Sequence, residues 1–186
     1  MSGANRDDMA EPTYRIDPET LREVFADPDQ ARAAVERLQA EVRDAPDSVD
    51  ELRARGELVS CLRGLGELDD ALAEAQRAVD RADMTGNGAQ QHMARLRLAQ
   101  VQQWRGDFVE SNLIYTELLG VAGEFGPVID AFTHQHAGQN AYDQGHWSDA
   151  REHFARALAL REELEVPEAE SSRLALAAAE RHLGAS

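Results

Sequence analysis

At 186 residues, with a formal net charge of −16 and 42% apolar residues, the chain can bury a core but has no basic footprint for nucleic acid or an anionic membrane. All nineteen basic side chains are arginine, which removes Schiff-base lysine chemistry and the lysine of a phosphate loop. A single cysteine, Cys61, excludes an internal disulfide, and an acidic start without the regions of a signal peptide places the expected location in the cytoplasm.

In chain order, residues 1–16 read as a disordered or loosely ordered segment. Helices are then expected over 18–25, 28–44, 47–65, 67–83, 89–105, 107–122, 127–144, 146–164 and 168–183. The reason is composition and period: Ala, Leu, Arg, Glu and Gln dominate, apolar residues recur at three and four positions, and alternating β-branched runs are scarce. Pro28, Pro127 and Pro167 suit first turns of helices, while Gly66, Gly106 and Gly145 stand where a helix end favours a left-handed residue. The TGNG stretch from Thr85 to Gly88 separates two helices.

Three segments align on a glycine: GELDDALAEAQRAV from Gly66, GDFVESNLIYTELL from Gly106 and GHWSDAREHFARAL from Gly145, spaced 40 and 39 residues apart. Two residues on lie Leu68, Phe108 and Trp147; five on lie Ala71, Ser111 and Ala150. Nine on lie Ala75, Tyr115 and Phe154; twelve on lie Ala78, Leu118 and Ala157; seven before the glycine lie Val59, Ala99 and Gly138. The frame extends weakly to 17–46 and forward to a helix ending at Gly184. Each unit is thus a helix, a turn at glycine and a second helix, a pair too short to bury its own apolar stripe unless it stacks on its neighbours.

These residues resemble the tetratricopeptide repeat (TPR), in the longer-period form of kinesin light chain and many bacterial regulators. The resemblance implies an all-α fold, a right-handed α-α superhelix of stacked antiparallel helix pairs. It divides the chain into a half-matched repeat at 17–46, repeats at about 47–86, 87–126 and 127–166, and a terminal capping helix at 167–186, all in one domain over 17–186. Arg55, at the family's usual Trp position, and Ser111 and Leu118 depart from the pattern. The family's groove positions, carried across, are Arg53, Gly56, Ser60 and Arg63; Met93, Leu96, Gln100, Gln103 and Trp104; Phe132, Gln135, Gln139, Tyr142 and Asp143; and Ser171, Leu174 and Arg181. In that groove long amides would bond a peptide backbone and Leu96, Trp104 and Phe132 would accept apolar side chains. The Asn and Lys clamp that holds a C-terminal carboxylate in some members is unmatched.

No catalytic constellation accompanies the repeat. His146 and His153 share a helix face but stand two turns, ~10 Å, apart, too far to ligate one metal together, and His134 and His136 point to different sides. Cys61 and the serines have no nucleophile setting, and the GLG and GNG stretches follow no strand. The expectation is a non-catalytic scaffold or adaptor with no cofactor and no metal, binding a protein or peptide in its concave groove. A secretion-type chaperone and a sensing module acting through another polypeptide are the alternatives. The apolar face of the terminal helix calls for either a polar-sided cap or a homodimer through that helix.

Overall fold

The computed structural model describes residues 12–85 and 87–185. Eight α-helices account for most of them: α1 (Pro28–Asp44), α2 (Ser48–Leu65), α3 (Leu68–Thr85), α4 (Gly88–Arg105), α5 (Phe108–Leu119), α6 (Pro127–Asp143), α7 (Trp147–Glu163) and α8 (Ala169–Gly184). Two three-residue strands, β1 (Tyr14–Ile16) and β2 (Glu23–Phe25), pair antiparallel with Tyr14 opposite Phe25. The expected helices from 28 onward are present, their ends shifted by a few residues at most.

Local chemistry explains the boundaries. Asp27 caps α1 by accepting from the backbone N–H of Asp29 and Gln30, with Pro28 as first residue, and Asp47 caps α2 in the same way. Gly66 and Gly106 adopt φ of 79° and 85° at the ends of α2 and α4, and each is followed by a backbone bond back to the last turn, Glu67 to Leu62 and Asp107 to Gln102. That closure satisfies terminal carbonyls and reverses the chain into the next helix. α5 stops at Leu119, three residues before the expected end, because Gly120 and Gly123 admit a short 3-10 helix at Ala122–Phe125 instead.

Every helix packs on its successor, and α2, α4, α6 and α8 also touch in a row, so the first helices of the pairs share one face. Small residues make the crossings: Ala71, Ala78, Ala150 and Ala157 are buried. Gly138 faces the ring of Phe154, which is fully buried; a Cβ there would lie 2.6 Å from the ring. Ser111, the polar departure in the second repeat, is also fully buried and donates to Asn140 Oδ1 at 2.8 Å. Leu118 packs with Leu96, Ala99, Tyr115 and Ala137.

At the usual Trp position, Arg55 builds a charged lattice in place of an aromatic plug. It bonds Glu51 at 2.9 Å and Glu74 on α3, and Arg77 and Arg81 bond Glu74 and Glu51 in turn. α2 and α3 are therefore joined by interlocking ion pairs beside their apolar contact.

The segment 14–25 differs from expectation. Strand and turn replace the predicted helix over 18–25, and 14–16 is ordered. Asp17 accepts from the N–H groups of Glu19 and Thr20 and from the Thr20 hydroxyl, which folds the turn, and Leu21 takes φ of 56°. Pro18 disfavours helix at Asp17, and the side-chain cap of Asp27 starts a new helix soon after. Residues 1–11 of the predicted N-terminal segment lie outside the described residues, as does Gly86 of the TGNG break.

Candidate functional site

The face shared by α2, α4 and α6 carries most of the predicted groove positions, and the hairpin lies across its C-terminal end. Leu21 is buried against α6 and α8, in a cluster with Ala141, Tyr142, Phe154 and Ala175. Its backbone carbonyl accepts from Gln139 Nε2 at 3.1 Å, and the carbonyl of Glu19 accepts from the Tyr142 hydroxyl at 3.2 Å. Phe25 lies against Gly64, where a Cβ would meet the ring at 2.6 Å. Two ion pairs flank these bonds. Arg63, which is buried, holds Glu23 at 2.5 Å, and Arg22 holds Asp143 at 2.8 Å. Both guanidiniums stand within 5 Å of the Trp104 ring centre, at 4.9 Å for Arg22 and 4.8 Å for Arg63. Gln103 completes the arrangement by donating to Asp143 at 3.1 Å and accepting from the Tyr115 hydroxyl at 3.4 Å.

Arg63, Gln103, Trp104, Gln139, Tyr142 and Asp143 are thus brought together around the chain's own hairpin. Other predicted positions have different employment. Leu96 is a correction: it is fully buried in the core between α4 and α5 and offers no surface to a partner, because its face of α4 turns toward Tyr115 and Leu118. Gln135 is buried and tied to α8, accepting from Ser172 Oγ at 2.7 Å and from Arg161 at 3.3 Å. Gln100 is buried with its Nε2 unpaired among the described residues. Ser60 bonds back to the Gly56 carbonyl, and Arg53 pairs with Glu41 and Glu57. Phe132 meets His136 edge to face at 4.4 Å. Ser171 bonds the Glu168 carbonyl, while Leu174 and Arg181 are exposed on α8. Met93 lines a half-open cavity of about 360 Å³ at the other end of the face, with Val49, Leu52, Gly56, Arg97 and Ile129.

Several residues that shape this face were absent from the sequence reading. Arg22, Leu21 and Glu23 fill one end; Arg97 and His136 lie nearer the middle. Burial pushes His136 down to about 3, and Arg63 acts in the same direction, so its ring is neutral. No local signal marks these roles, since Leu21 and Gln139 are 118 residues apart. The histidines pair across helices rather than along one: His134 Nδ1 lies 3.0 Å from His153 Nδ1, and Asp130 lies 3.5 Å from the other side of the His134 ring. Among the described residues no group of three or more His, Cys, Asp or Glu is placed to hold a metal ion, and no helix is long and apolar enough to cross a membrane.

No family model and no curated protein matches the sequence. Solved structures do match. BtubC (BKLC) from P. vanneervenii aligns at 20% identity with a TM-score of 0.61, over 84% of this chain and 65% of that one. A Podosopora anserina protein described as a kinesin light chain with nearly identical TPR-like repeats aligns at 18% identity with a TM-score of 0.61, over 84% of this chain and 81% of that one. The fold is therefore an all-α, TPR-like helical repeat, and this chain spans about two thirds (65%) of the length of BtubC.

Proposed function

We propose that the protein is a non-catalytic scaffold that binds a segment of a partner polypeptide along the face of α2, α4 and α6. One observation carries this reading: Gln139 and Tyr142 each donate to a backbone carbonyl of the chain's own residues 19–21. Bonds to main-chain carbonyls are independent of the bound sequence, so they suit recognition of a polypeptide. Trp104, with two guanidiniums over its ring, and the ion pairs Arg63–Glu23 and Arg22–Asp143 add side-chain selectivity. The same face is rich in arginine and amides, unlike the acidic remainder of a chain with net charge −16, and that remainder disfavours nucleic acid.

A peptide array probed with the wild type and with Trp104→Ala plus Gln139→Ala tests the reading. The folded double variant, checked by its helical circular dichroism, should lose most captured sequences. Equal capture would remove this face from the account.

A further inference from the structure

Near the middle of the face, at the border of the cavity that lies away from the hairpin, Arg97 stands out. It projects from α4 toward α2 and lies flat against Gly56: a Cβ at that position would come within 2.6 Å of Cζ and 2.7 Å of Nε. No hydrogen bond or ion pair reaches its guanidinium among the described residues. The neighbouring charges compensate it only in part. Arg63 is a like charge already bonded to Glu23, and Glu57 is held at 2.8 Å by Arg53, which also pairs with Glu41. Burial and Arg63 push Arg97 down from its ordinary value, and the opposing pull of Glu57 does not offset them. A guanidinium has five donors and cannot shed its proton in a protein, so a partly buried one without an acid is destabilising unless an anion joins it.

Arg97 borders the cavity of about 360 Å³, whose other walls are mainly apolar: Val49, Leu52, Ala78, Met93 and Ile129. That volume falls in the range of about 300 to 1,000 Å³ typical of small-ligand sites. Gln90 is the one side-chain amide bordering it. This end therefore lacks the backbone-holding groups that Gln139 and Tyr142 supply at the other, and its chemistry suits a ligand without a peptide backbone.

We propose that this cavity binds a small amphipathic carboxylate, with an aliphatic or aryl-alkyl body against Val49, Leu52, Met93 and Ile129 and its carboxylate on the fork of Arg97. Gly56 is part of the site because only a residue without a side chain leaves the guanidinium its shelf on α2. The site is independent of whether the hairpin end of the face takes a polypeptide.

Octanoate is the probe, with octan-1-ol as its uncharged counterpart, titrated calorimetrically into the full chain at pH 7.5. Octanoate should bind at least tenfold more tightly than the alcohol. Arg97→Gln should abolish that preference, whereas Arg95→Gln, on the same helix but paired with Asp83 at the exposed surface, should keep it. If Arg97→Gln does not fold, Gly56→Ala serves instead: the added methyl displaces the guanidinium and should reduce the preference several-fold. Equal affinity for acid and alcohol overturns the proposal, as does a preference that survives in the folded variant. Tighter binding of the peptide acetyl-Leu-Glu-Leu-amide than of octanoate would also overturn it, by assigning the cavity to a polypeptide.

Discussion

Gly138 shows how a single missing side chain determines the approach of two helices. The Phe154 ring fills the space a Cβ would need and is itself fully buried, so neither partner can retreat. Gly138→Val should destabilise the protein by about 1 to 3 kcal/mol or more through overpacking, read as a lower urea midpoint with an unchanged m-value. At Ala150, fully buried in the cluster that includes Phe154 and Ala178, Asp adds bulk and an unpaired charge; its melt should fall further than that of Gly138→Val. His136 controls a pH effect. Its folded pKa of about 3 lies below the ordinary 6.5, so between those values the unfolded chain binds the extra proton and stability falls with acid. The contribution is complete above about pH 6.5 and is lost toward pH 3, with a slope approaching about 1.4 kcal/mol per unit. Burial also lowers His92, His134 and His153, so all four act in one direction. Melting temperatures from pH 7.5 to 4.5 should decline steadily, and His136→Gln should flatten the decline.

Between α2 and α3, an acid is kept buried by its neighbours. Glu74 is 7% exposed and its charge is met by Arg55 and Arg77. Arg55→Ala leaves it mostly uncompensated and should cost about 3 kcal/mol, while Arg55→Met with Glu74→Leu should recover most of the loss; a double-mutant cycle in urea measures both. The sequence showed Arg55 as a departure from the family's aromatic, and its carboxylate partner 19 residues away became visible only with the helices packed. The hairpin is a second element whose stability is borrowed. Two three-residue strands do not hold alone, and Leu21 supplies their anchor. Leu21→Asp should free residues 12–26 to rapid hydrogen exchange and limited proteolysis while the helical signal is retained. Retained protection would show that Arg22, Glu23 and Phe25 suffice.

Over the whole molecule, acids exceed bases to a net charge of −16, and that excess opposes compaction. Raising salt from 0.01 to 0.1 M shortens the screening length from about 30 to about 10 Å, so the melting temperature should rise by a few degrees. A fall would mean that the ion pairs along α2 and α3 outweigh the general repulsion. The repeat frame itself was legible without coordinates. Helix period, the prolines at first turns and the glycines at 66, 106 and 145 act within a few residues of themselves, and those local terms determined the eight helices described and the small residues at their crossings. Only the tertiary structure decided what occupies the shared face. Leu96 turned inward and the segment around Leu21 folded onto Gln139 and Tyr142 because each choice depends on atoms brought together from 19 to more than 100 residues away. Arg97 is the clearest case: among the described residues no acid forms an ion pair with its guanidinium, and that follows from which side chains the packed helices place around it, which no stretch of sequence carries.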